Sequence, residues 1–300
     1  MTSNARAPKP RKRSKKEEGK FLILEVLDLP TLSVILNKIL KVAGSDRSSA
    51  MDMAEVISKD QALTANILKI ANSAYFGLSQ EVTTVLQAIV VLGFDAVRSI
   101  ALSASVIDAF RGAGSGHFDR TRFWTHSLAC AYLCKKIAAM THRVDFETAF
   151  VSGLLHDIGK IVLDIHFPDS YARITAIMTE GKSSVDAEVE VLGFSHAEVG
   201  MWMAQRWRFP KPIIFSIANH HGRIAHDEQY DSLAATVRVA NHLCLEERVC
   251  LPHQSPSVLP DAELDEIRLD RGALTRLREL LATRRDSFIS LFSEWETLPQ

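Results

Sequence analysis

Residues 146–163 read FETAFVSGLLHDIGKIVL, and at their centre an apolar run meets a polar pair, His156-Asp157, flanked by Gly153 and Gly159. Polar groups embedded in so apolar a stretch are costly unless they are paired or coordinated. The periodicity predicts one helix over 146–163, with Lys160 one turn beyond His156 on the same face, placed to meet an anion.

Working outward, the period is helical almost everywhere from Phe21 on. Leu32, Ile35, Leu36, Ile39 and Leu40 stand at the i, i+3, i+4 spacing of an amphipathic helix that begins after Pro30. Ser49 with Asp52 resembles a capping box, and Asp60 is an N-cap for a helix with Leu63, Ile67, Leu68 and Ala71 on one face. Val85–Leu92 is apolar all round and its neighbours decide for helix. A further helix runs over Phe94–Phe110. Gly112, Gly114 and Gly116 then mark a linker. Beyond it, helices are expected over 123–140, 171–179, 184–192, 196–207, 211–221 and 231–247. A Pro/Ser/Gln-rich loop leads to a charged helical pair near 261–295. There is no run of alternating strands, so the class is all-α. The expected organisation is a disordered basic tail 1–20, an N-terminal helical lobe 21–112, a second helical lobe 113–248 and a C-terminal helical extension 249–300.

At 300 residues with 47% apolar and 24% charged content, the chain has ordinary globular composition, which excludes disorder throughout. The longest apolar stretch, Ala88–Phe94, is far below the ~18 residues that span a bilayer, so no transmembrane segment is expected. The N-terminus has no apolar core behind its charges, and a cytoplasmic location is expected. Four cysteines, Cys130, Cys134, Cys244 and Cys250, form neither a disulfide framework nor a metal knuckle and read as small apolar residues. The overall charge of −1 conceals a tail of eight Lys/Arg and two acids in residues 1–20. Such a tail suits nucleic acid or an anionic surface, or serves only to solubilise.

Five histidines share an ordered spacing with one aspartate: His126, His156, Asp157, His196, His220 and His221. Imidazole nitrogens and carboxylates are ligands of hydrolytic divalent metals, so the set is a candidate metal site. His220-His221 before Gly222 also suits a protonated helix-capping role. The remaining histidines, His117, His142, His166, His226, His242 and His253, are expected to face solvent. Trp207 and Phe209 are expected to pack an interhelix corner, and NSAYFG (72–77) is a turn or a docking loop.

With these residues in view, the chain resembles the HD superfamily of metal-dependent phosphohydrolases. The flanking motifs sharpen the likeness. LPTLSVILNKIL, VISKDQALTANILKIANSAYFG, TVLQAIVVLGFDAVRSIAL, FWTHSLACA, AFVSGLLHDIGKIVL and FSHAEVGMWMAQRWRFP resemble the HDOD domain, the HD-related output domain of bacterial signalling proteins, over about residues 22–222. The resemblance implies an N-terminal helical lobe packed on an HD-like lobe, and a bacterial regulatory role through signalling partners or a ligand, without robust catalysis. The alternative is a phosphohydrolase acting on a nucleotide or other phosphoester.

Departures from the catalytic pattern shape the expected chemistry. Asn241 stands where HD hydrolases place a late aspartate. Arg122 stands where three-metal relatives place a glutamate, and GRIAHDEQYDS replaces the GYP signature of cyclic dinucleotide phosphodiesterases. Asp157 would then face two cations, Arg122 and Lys160, both expected to contact phosphate. A divalent ion (Fe, Mn, Mg, Ni or Zn) would be held weakly or at partial occupancy, as a vestigial or single-metal site.

Overall fold

The computed structural model describes residues 14–26, 38–39, 49–72, 78–111, 118–222 and 225–296, with side chains to residue 290. Every regular element among them is helical. The first thirteen residues, most of the helix expected around Leu32–Leu40, the docking-loop candidate after Asn72 and the Gly112–Gly116 linker lie outside the described residues.

Four helices carry the first lobe: α2 (Ala50–Ile57), α3 (Gln61–Ala71), α4 (Val85–Leu92) and α5 (Phe94–Ala109). Their starts are set by the expected caps. Ser49 and Asp52 close a reciprocal capping box, Asp60 accepts from the Leu63 amide, and Thr84 accepts from the Gln87 amide. Gly93, at φ 96°, makes the corner between α4 and α5 in a conformation that a side chain would strain. α5 packs on α3 and α4 and also on a helix of the second lobe, so it forms the seam between them.

The second lobe comprises α6 (Arg120–Thr141), α7 (Phe146–Leu155), α8 (Ile158–His166), α9 (Pro168–Thr179), α10 (Ser184–Leu192), α11 (His196–Arg206), α12 (Lys211–Asn219) and α13 (Asp231–Glu246). Two C-terminal helices follow, α14 (Asp261–Ile267) and α15 (Arg271–Glu296). α15 lies on α6, where Phe288 meets Tyr132 with ring centroids 5.5 Å apart. One continuous apolar core runs through both lobes. Trp207 and Phe209 are buried in it, as the corner-packing expectation required, and all four cysteines are buried and unpaired.

Two expectations need correction. The single helix over 146–163 is in fact α7 and α8, broken at His156-Asp157. Asp157 adopts φ −97°, ψ 5°, and the Lys160 amide returns to the Asp157 carbonyl at 2.9 Å. That conformation lies in the sparsely used bridge region where many active-site residues sit. It turns His156 and Asp157 inward together, which one straight helix could not do for adjacent residues.

Residues 15–20, expected to belong to a disordered tail, are helical. α1 (Lys15–Phe21) is closed by a Ser14/Glu17 capping box and runs into a π-helical turn over Leu22–Val26. Among the described residues this segment packs on α10 and α11. Gly19 lies against the Phe194 ring, Lys16 pairs with Glu198, and Arg206 donates to the Ile23 and Leu24 carbonyls at 3.1 and 3.0 Å. A glycine lets the aromatic ring approach where a Cβ would lie 2.1 Å from it, a contact that hydrophobic periodicity does not reveal.

Candidate metal centre

Four helix ends and one helix interior converge on Asp157. His126 comes from within α6 and His156 from the end of α7. Asp157 precedes α8, His196 opens α11, and His220 closes α12. These five are buried, and His221 stands exposed at the rim. Helix ends suit this task because their unpaired backbone groups can orient a side chain.

Each buried imidazole is held at Nδ1. His126 meets the Val249 carbonyl at 2.7 Å, His156 the Gly153 carbonyl at 2.7 Å, and His220 the Ile217 carbonyl at 2.7 Å. His196 Nδ1 meets both Glu188 carboxylate oxygens at 2.8 and 2.7 Å. A carbonyl or carboxylate partner requires Nδ1 to carry a proton, so each Nε2, wherever it carries no second proton, presents its lone pair to the centre. The Nε2 atoms crowd together accordingly: His126 and His156 at 3.2 Å, His196 and His220 at 3.2 Å, His196 and His221 at 2.9 Å. Facing lone pairs at these distances need a cation or a proton between them.

Asp157 divides the donors into two groups. Oδ1 lies 3.2 Å from His196 Nε2 and 3.3 Å from His220 Nε2, and these residues with His221 form one set of potential ligands. Oδ2 lies 3.6 Å from His126 Nε2 and 3.5 Å from His156 Nε2, the second set. Ligand atoms ~2.1 Å from one ion, at angles between octahedral and tetrahedral, stand about 3.0–3.4 Å apart. The Oδ1 group closely matches that spacing. Oδ1 is also a buried oxygen without a hydrogen-bond donor, whereas Oδ2 already accepts from Lys160 Nζ at 2.6 Å. The residues present therefore fit a divalent ion on the Oδ1 side.

Electrostatics agree with ionised Asp157 and neutral His220. Burial pushes the Asp157 carboxyl up, but the Lys160 ammonium and His156 outweigh it and hold the group well below the carboxylate range. Burial pushes His220 down to about 3, which favours an uncharged Nδ1–H donor to the Ile217 carbonyl over the protonated form of the capping alternative.

Arg122 does not face this centre. Its side chain is 59% exposed and pairs with Asp119 at the N-terminus of α6, so the expected pair of cations reduces to Lys160. Asn241 is buried on α13, which packs on α6 and α7. Glu188 was missed by the sequence reading. It is 1% exposed while neighbouring Val189 is 47% exposed, an inversion of the usual pattern on an amphipathic helix. Of the other histidines, His142, His226 and His253 are exposed as expected, His166 and His242 are partly buried, and His117 lies outside the described residues.

Residues 29–223 match the HDOD domain over about two-thirds of the chain, in the segment that supplies every donor named above. The chain belongs to the HDOD domain family. An uncharacterised Treponema pallidum protein is 28% identical over 218 residues, which are 71% of this HDOD chain and 42% of that protein. The chain thus spans about two-fifths of the length of that curated relative. A candidate phosphohydrolase from Shewanella amazonensis shares the HDOD chain's architecture with a TM-score of 0.72 at 27% identity, covering 89% of this chain and 95% of that one. An HDOD domain protein of unknown function from Geobacter sulfurreducens has a TM-score of 0.79 at 24% identity, covering 94% and 99%, a likeness of fold.

Proposed function

We propose that this HDOD chain is a bacterial signalling module that works by binding a partner or ligand, and that it holds one divalent metal ion at Asp157 Oδ1 with His196, His220 and His221. The observation that carries this reading is the Lys160 ammonium on Asp157 Oδ2. It fills the position from which a second cation would share the carboxylate, and the two-metal clamp used for phosphoryl displacement is thereby opposed by like charge. Asn241 in place of the expected aspartate acts in the same direction. Three imidazoles and a carboxylate suit Mn, Fe, Ni or Zn better than Mg, which prefers oxygen donors. When bound, the ion would supply Lewis acidity at this centre. Glu188 orients His196, and Lys160 keeps Asp157 ionised.

A partner-binding role is supported by the first lobe, where α4 leaves Leu86, Val90 and Val91 in solvent. A basic arm for an anionic surface would reside in residues 1–13, since 14–26 is docked on the second lobe. Among the described residues no helix is long and apolar enough to cross a membrane.

A phosphohydrolase is the second reading, favoured by a cavity of about 200 Å3 that Lys160, Glu188, Tyr171 and Phe118 line beside the centre. A metal-supplemented phosphodiesterase and phosphatase screen of the wild type against Asp157→Ala separates the two. Signalling by binding gives no difference between the proteins, and Asp157-dependent turnover would establish the hydrolase.

A further inference from the structure

A second cavity, of about 300 Å3, opens between the N-terminus of α6, the turn after α13 and the C-terminal helix α15. Three guanidinium-bearing residues line it, one from each element: Arg122, Arg248 and Arg285. Arg248 and Arg285 form no ion pair among the described residues, and the single carboxylate in the lining, Asp119, pairs with Arg122. Two cations are thus left uncompensated around one concavity in a chain whose overall charge is −1.

The floor holds an independent sign of a missing ligand. Thr125, 6% exposed, lines the same cavity, and its hydroxyl is buried without a hydrogen-bond partner. A threonine inside a helix ordinarily satisfies its hydroxyl by bonding the carbonyl four residues back. Here it does not, and a buried donor left open is costly unless something occupies the cavity. The dipole of the 22-residue α6 also favours negative charge at this end. Val249 and Ile289 provide an apolar wall.

We infer that this cavity binds a phosphorylated small molecule, its phosphate held by Arg248 and Arg285 with Thr125 donating from the floor and Arg122 at the rim. Arginine forks match phosphate oxygens in planar pairs, and the volume accommodates more than a bare phosphate. The inference does not depend on a metal at Asp157, although Val249 links the two places: it lines the cavity, and its carbonyl holds His126 Nδ1.

Pyrophosphate titrated by calorimetry into full-length protein stripped of metal tests the site. Circular dichroism establishes that Arg248→Gln/Arg285→Gln, Thr125→Val and Asp157→Ala are folded. Binding to the wild type is expected, weakened at least about tenfold in the double arginine variant, weakened less in Thr125→Val, and unchanged in Asp157→Ala. The inference is overturned if wild type shows no binding up to about 10 mM, if the double variant keeps its affinity, or if Asp157→Ala loses it.

Discussion

Glu188 grips His196 twice, at the ring Nδ1 and at the backbone amide, the latter at 2.7 Å. Partners of this kind fix the tautomer and orientation of a ligand, and their loss typically lowers metal affinity about 10- to 100-fold. Glu188→Gln is therefore expected to weaken metal binding by that factor while the protein stays folded, as read by competition with a fluorescent chelator. Gly159 has a different role. A Cβ placed there would lie 2.0 Å from the His196 carbonyl oxygen, so α8 and α11 cross at backbone contact. Gly159→Ala must push the helices apart at a cost of about 1–3 kcal/mol, visible as a lower denaturation midpoint, and it displaces His196 along with its helix. Individual donors were legible in sequence because imidazoles in apolar surroundings stand out. Glu188 was not, since its neighbours on α10 include Asp186 and Glu190 and a buried acid looks like a solvated one. Arg122 misled for a related reason: it shares a helical face with His126, but its long side chain turns back to Asp119.

Elements are stapled to each other by small numbers of specific contacts. α1 is held on α11 and the preceding turn by Gly19 against Phe194, where a Cβ would approach to 2.1 Å. Gly19→Leu is expected to undock α1, and limited proteolysis should then cut within 15–26 at sites that the wild type protects. At the far end, Arg278 on α15 donates to Glu246 on α13 at 2.6 Å. Burial pushes the Glu246 carboxyl up, but Arg278 and His242 outweigh it and hold it below its usual 4.5. A depressed carboxyl stabilises the fold above its unfolded pKa, and that stabilisation disappears as pH falls through the folded value. Glu246→Gln should accordingly cost about 0.2–1 kcal/mol at pH 7, with the difference from wild type vanishing in acid, as followed by urea unfolding at both pH values. Helix starts were readable from Ser49, Asp60 and similar caps. The break between α7 and α8 was not, because apolar residues continue on both sides of His156-Asp157 and the periodicity alone does not register a change of direction.

Across the whole molecule, the two lobes share one core, and the proposed ion would draw its ligands from the turn before α8, the start of α11 and the two residues that follow α12. An ion that binds only this converged arrangement stabilises the folded chain by mass action, about 2.7 kcal/mol at 100-fold excess over its dissociation constant. The melting temperature should therefore rise with added Mn, Fe, Ni or Zn and return to the metal-free value on chelation. The most direct test is the metal content of the full chain, supplemented with these ions, desalted and analysed by mass spectrometry of the elements. One equivalent per chain is expected, retained in His126→Ala and lost in His196→Ala and Asp157→Ala. Two equivalents, none, or equal loading in Asp157→Ala would contradict a single ion seated on Asp157 Oδ1.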